Sequence, residues 1–258
     1  MFPLVDSVAR RHTPFMVMAL IALNVLVFIW EAGLPQEWIE YFSYHLGLVP
    51  ARYTLPEWAI RHGMDPRNLM PFISAQFMHG SLAHIVGNMW TLWIFGPALE
   101  DRMGPFRFLL FYMLTGLAAM VTHTALNPYS TLPAIGASGA IAGVIGGYTL
   151  LFPRSRVLFM IPIFIFPFFF EWPAILYGVI WFLIQLLQGT QALGQFNLGG
   201  GVAWWAHVGG FVFGILLVKL FASPSQRHRV YYLDEGKLGY SPDGRQSNTS
   251  ARYTRNLP

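Results

Sequence analysis

The chain of 258 residues contains no cysteine. Disulfides, thiol nucleophiles and thiolate metal sites are therefore excluded, and the redox compartment is left open. Charge is scarce as well: Asp, Glu, Lys and Arg make up 11% of the residues, where a soluble domain carries about 25%. No charged side chain stands between Thr13 and Trp30, and none between Arg107 and Arg154. What fills these stretches is apolar, with 55% hydrophobic and 16% aromatic residues overall, which rules out an ordinary soluble domain. Runs of about 20 apolar residues suit the hydrocarbon core of a bilayer. The chain reads as an all-α, polytopic membrane protein. Its net charge of +4 is read first as a topology signal, and no nucleic-acid partner is expected.

Six spans are expected. A cytoplasmic N-terminal segment, residues 1–12, precedes a first span over about 13–30. No small-residue cleavage site follows it, so it is read as an uncleaved helix rather than a signal peptide. Residues 31–71 mix acids with Trp38, Tyr41, Tyr44 and Trp58, the composition of a large outer loop at the interface. Further spans are expected over about 73–99, 106–126, 138–152, 173–188 and 203–221. The apolar stretch 157–170 is interrupted by Pro162 and Pro167 and is too short to cross. It is read as an interfacial or re-entrant lead-in to the fifth span. The polar tail, 222–258, is expected to be cytoplasmic and disordered. This arrangement puts Arg10, Arg11, Arg102, Arg107, Arg154, Arg156 and Lys219 on the cytoplasmic side, with Arg52, Arg61 and Arg67 opposite, as the positive-inside rule requires. A seventh span would break that pattern.

Polar groups at membrane depth are costly, so each is a functional candidate. Asn24, His84, Asn88, Ser138, Gln185 and His207 are the candidates. Ser138, within Gly136-Ala-Ser-Gly139, opens the fourth span, where free backbone N–H groups and the helix dipole favour an oxyanion. The alternative is that Gly139, Gly143 and Gly147 merely form a small-residue packing face. His207 opens the sixth span, with Gly210 and Gly214 on nearly the same face. It is either a structural hydrogen-bonder or a base. The fourth and sixth spans run in the same direction, so Ser138 and His207 are expected at matching depth, as a nucleophile and base require. In the second span His84 and Asn88 share a stripe with Gly80, Gly87 and Thr91. They would either complete an oxyanion hole with the Ser138 N–H or form an interhelical clasp. His79 reads as a loop or interface residue. The acidic residues all lie outside the spans or at their ends, so a dyad is the most that is available. Without a carboxylate or thiol beside the histidines, no metal is expected.

These motifs resemble those of the rhomboid intramembrane serine proteases. The likeness covers about residues 13–221 and rests on Gly136-Ala-Ser-Gly139, on the His84-x-x-x-Asn88 pair, and on Ala206-His207-x-Gly209-Gly210-x-x-x-Gly214. Gly96-x-x-x-Glu100-x-x-x-Gly104 fits the family as well. The resemblance implies a six-helix rhomboid-like bundle with Ser138 as nucleophile and His207 as general base. His84, Asn88 and the Ser138 N–H would serve the oxyanion. Gly136, Gly139, Gly143, Gly210 and Gly214 would pack the helices around the site. The fifth span and the loop over 189–205 would gate and cap it. Some members carry a Trp-Arg pair before the second span; Met70 and Pro71 stand near that place here.

The resemblance implies hydrolysis of peptide bonds in or near transmembrane segments of other membrane proteins, with no cofactor. The lipid bilayer and transmembrane protein substrates are the expected partners, and the oligomeric state is open. An inactive relative acting as a chaperone or trafficking factor would lack the serine or the histidine, and both are present. A small-solute transporter would show an internal repeat with broken helices, and the sequence shows none. No transit-peptide pattern precedes the first span, so a bacterial inner membrane is the expected setting, with the site opening to the outer face.

Overall fold

The computed structural model describes residues 2–164, 166–192 and 202–223. The expected tail and most of the glycine-rich loop before the sixth span lie outside the described residues. The first apolar run forms α1, Phe15–Ala32. Its own N-cap is Pro14, which offers no side-chain acceptor, and a later helix supplies one instead. Residues 31–71 are largely helical rather than an irregular loop. They form α2 (Gln36–Leu46), α3 (Ala51–Thr54), α4 (Pro56–Arg61) and α5 (Pro71–Ser74). Proline in the first turn of α4 and α5 costs no hydrogen bond, because that N–H has no partner within the helix. Val49, Ala51, Ala59 and Met64 give this segment a small core of its own.

The expected second span is broken at its start. After α5 comes a 3₁₀ turn, Ala75–Phe77, and only then α6, Leu82–Met103. Ser81 caps α6 by accepting the His84 N–H at 3.2 Å. The helix runs through Glu100, Asp101 and Arg102, which the sequence suggests as its end. The two carboxylates are satisfied there by the start of α1. Glu100 accepts the N–H groups of Met16 and Val17 at 2.9 and 2.8 Å, and Asp101 accepts those of Arg11 and His12 at 2.9 and 3.0 Å. Orphan donors and the positive end of a helix dipole are a good environment for an anion. Gly104, at φ +80°, ends α6, and α7 (Pro105–Leu126) follows at once.

Helix α8, Ser138–Leu151, is 14 residues long and buried along almost its whole length, with α7 and the later helices around it. After it the chain departs from expectation. Residues 157–170 are not helical: they form an antiparallel hairpin of β2 (Arg156–Ile163) and β3 (Phe166–Pro173). The N-terminal segment adds a third strand, β1 (Phe2–Asp6), giving the order β1-β2-β3. β-branched and aromatic residues favour this pairing. The prolines are tolerated because Pro162 pairs with Pro167 beyond the reach of β1, whose register ends at Phe2↔Met160. Under the sheet the buried Asp6 carboxylate accepts the Tyr148 hydroxyl at 2.9 Å and pairs with Arg10. Burial pushes the Asp6 carboxyl above the usual carboxylate range, against the pull of Arg10. The all-α expectation thus holds for the membrane bundle, and the sheet adds a small β layer to a mostly helical chain.

Helices α9 (Ala174–Ala192) and α10 (Trp204–Phe221) complete the bundle. Six helices therefore stand where the six spans are expected. Among the described residues α1, α7, α9 and α10 are long and apolar enough to cross a membrane, and α8 is apolar but shorter. Their outward faces expose Leu26, Ile29, Leu110, Val121, Leu183 and Leu187, a surface suited to lipid rather than water.

Candidate active site

Ser138 is the first residue of α8, so its backbone N–H has no acceptor within the helix. The approach to it is fixed by the Gly136 N–H, which donates to the Ala75 carbonyl at 2.8 Å, and by the bridge between Leu48 and Ala134. Gly136 sits at φ +123°, a conformation that favours glycine. A Cβ there would lie 2.7 Å from the His84 ring and 3.6 Å from Asn88 Nδ2. His84 and Asn88 on α6 therefore lie over the backbone that leads into Ser138.

His207 reaches Ser138 because two parallel helices touch backbone to backbone. A Cβ on Gly210 would stand 2.0 Å from the Gly139 carbonyl oxygen, and one on Gly214 would stand 2.1 Å from that of Gly143. The two contacts follow one register in one direction, so α8 and α10 run parallel. The same register sets Ser138 beside His207. The Ser138 hydroxyl and His207 Nε2 are 2.8 Å apart, with the imidazole buried and the serine half-buried. On the other ring nitrogen, Nδ1 lies 2.8 Å from Gln185 Oε1, on α9. Trp204 meets the imidazole edge-on, with ring centroids 6.0 Å apart.

The structure thus brings together all four of the expected polar residues, Ser138, His207, His84 and Asn88, and seats Gly136, Gly139, Gly143, Gly210 and Gly214 at the close approaches. It also draws in groups that the sequence left aside. His79, expected as a loop or interface residue, lies in the turn before α6 but is buried, and its Nε2 accepts from Asn88 Nδ2 at 3.0 Å. The His79 backbone N–H donates to the Glu31 carboxylate at 3.1 Å. An acidic residue therefore does stand close to this set, although in the sequence the acids all read as lying outside the spans or at their ends. Glu31 reads as a loop residue in the sequence, but α1 extends two residues further than the apolar run and carries it inward. Gln185 was visible as a polar residue in an apolar run, and the signal that would have found its partner is the shared stripe of Gly178, Gln185 and Gly189, all buried on one face of α9.

The arrangement can remove a proton from a serine at the foot of a helix dipole, with side-chain donors overhead. Comparison with known proteins identifies the family. The family described as Rhomboid domain matches residues 66–224, a stretch that includes Ser138, His207, His84, Asn88, His79 and Gln185. The chain is 30% identical to Rhomboid protein 1, mitochondrial, of Saccharomyces cerevisiae, over 80% of its own length and 53% of that protein's. It is 27% identical to the human Presenilin-associated rhomboid-like protein, mitochondrial, over 78% of its length and 47% of the relative's. A shorter match of 35% identity joins it to Rhomboid protease GluP of Bacillus subtilis, over 32% of this chain and 16% of that one. The chain therefore spans about half the length of the two mitochondrial proteins, at 53% and 47%. Their mitochondrial names give no support to the expected bacterial inner membrane. With a Rhomboid domain match covering residues 66–224, on a mostly helical fold, the chain belongs to the rhomboid family.

Proposed function

We propose that the chain is a serine endopeptidase of the membrane, cutting other membrane proteins in or near their transmembrane segments through a Ser138–His207 dyad and an acyl-enzyme. The observation that carries this reading is the 2.8 Å contact between the Ser138 hydroxyl and His207 Nε2 at the N-terminus of α8. The name of the Bacillus subtilis relative, a rhomboid protease, points the same way. In the first step the Ser138 proton passes to Nε2 as Oγ attacks the peptide carbonyl carbon. The carbonyl oxygen becomes an oxyanion, received by the Ser138 N–H, His84 and Asn88. Asn88 gives one amide hydrogen to His79 and keeps the other for this task. The imidazolium then protonates the leaving amine, and an ester on Ser138 remains. Water, deprotonated by His207, attacks the ester; the C–O bond to Ser138 breaks, His207 returns the proton to Oγ, and the carboxylic acid is released. The chemistry uses no metal or other cofactor. The site opens away from the sheet, toward the outer face, where a substrate helix meets water and its strand can unwind.

The test is cleavage of single-span substrates by the purified chain in lipid, read together with labelling by a fluorophosphonate. Ser138→Ala and His207→Ala are each expected to abolish cleavage and labelling while melting within a few degrees of the parent. Undiminished cleavage by Ser138→Ala would remove the serine from the mechanism.

A further inference from the structure

The third group at the dyad is a neutral amide. Gln185 Oε1 lies 2.8 Å from His207 Nδ1, and both side chains are buried. A neutral imidazole carries one N–H. If that hydrogen sits on Nε2 it points at Ser138, and the ring cannot take the serine proton. The partner of Nδ1 decides which tautomer forms. A carbonyl oxygen there accepts the Nδ1 hydrogen and leaves Nε2 as an acceptor. The contact does not depend on a loose surface rotamer, because α9 is held on both sides of it. Below Gln185, a Cβ on Gly178 would stand 2.2 Å from Thr149 Oγ1 of α8; above it, one on Gly189 would stand 3.2 Å from the Trp205 ring of α10. Between these points the Trp181 and Phe182 rings stack on Phe211, at 5.8 and 4.9 Å. Among the described residues, the other titratable side chains close enough to act on His207 are His84 of α6 and His123 of α7, and neither is an anion.

We propose that Gln185 is the positioning residue of the base. From α9 it locks His207 into the tautomer that can accept the Ser138 proton, the place an acidic third member holds in soluble enzymes. An amide does this without burying a charge among apolar helices. The inference rests on the serine-protease reading and adds to it a third helix that the dyad requires.

The experiment compares Gln185→Leu, Gln185→Glu, Ser138→Ala and the parent in lipid, with kcat and KM on a single-span substrate, fluorophosphonate labelling rates and melting curves. Gln185→Leu is expected to lower kcat and the labelling rate by about tenfold to a hundredfold, part of what a positioned base supplies, with KM changed by less than about twofold. Gln185→Glu keeps the acceptor and adds a negative charge that holds the imidazolium more tightly. It should stay active and move the acidic limb of the kcat–pH profile to higher pH, a shift that a packing role would not produce. Parent-level kcat and labelling in Gln185→Leu overturn the proposal, while an inert Ser138→Ala in the same experiment leaves the protease reading standing. Should Gln185→Leu not fold, the pH profile of Gln185→Glu decides, and an acidic limb that stays in place overturns it. Cleavage by Ser138→Ala would fail the underlying reading itself, whatever Gln185 does.

Discussion

Gly210 shows how little space the site leaves. A methyl at this position would stand 2.0 Å from the Gly139 carbonyl oxygen, so Gly210→Ala must push α10 away from α8. Overpacking of this kind costs about 1–3 kcal/mol, and a displacement of about 1 Å between nucleophile and base costs about a hundredfold in rate. The variant is expected to melt earlier and to lose nearly all cleavage, as thermal unfolding and substrate assays would read. At this scale the sequence was legible where chemistry and spacing coincide. Ser138 and His207 were placed at matching depth by counting spans, and the glycines four residues apart marked the face between them. Gln185, His79 and Glu31 were not, because a hydrogen-bond partner on another helix depends on how that helix is rotated. Hydropathy says a residue lies in a span but not which neighbour it faces.

Among the elements, α1 depends on a distant carboxylate. Glu100 is the acceptor for the first free N–H groups of α1, at Met16 and Val17, and Pro14 offers nothing in its place. Glu100→Ala should therefore destabilise the protein by about 1–3 kcal/mol, the cost of leaving buried donors without an acceptor. Amide exchange at Met16 and Val17 should quicken, and Glu100→Gln should lose less because it keeps one acceptor. Protection at those two amides that stays at the parent level would show that something else caps α1. The hairpin is the element the sequence missed. Two prolines rightly argued against a span over 157–170, yet the same residues pair as strands once β1 arrives from the other end of the chain. A window of sequence cannot contain that partner.

For the molecule as a whole, the short α8 is the telling dimension. Its 14 residues reach about 21 Å, against about 30 Å of hydrocarbon. In the proposed arrangement Ser138 begins below one surface of the bilayer, and water comes down to it. The absence of cysteine makes the orientation directly measurable. Phe164, at the tip of the hairpin, is 97% exposed, and Tyr129, in the loop before α8, is 68% exposed. They lie beyond opposite ends of α8. Single cysteines placed there, Phe164→Cys and Tyr129→Cys, are expected to react with an impermeant maleimide from opposite sides of a sealed vesicle. Reaction from the same side would sink the six-span arrangement.

The sheet also sets an order of events. Phe2 is made well before its partner Met160, which follows 158 residues later. At about 5–20 residues per second, β1 waits on the order of ten to thirty seconds on the ribosome before its ladder can close. By then α1, α6, α7 and α8 have all been synthesised, and the polypeptide has doubled back on itself several times. Closure of the sheet is thus a long-range step, slow because the loop it closes is large. β1 is made before β2 and can pair only once β2 has followed it.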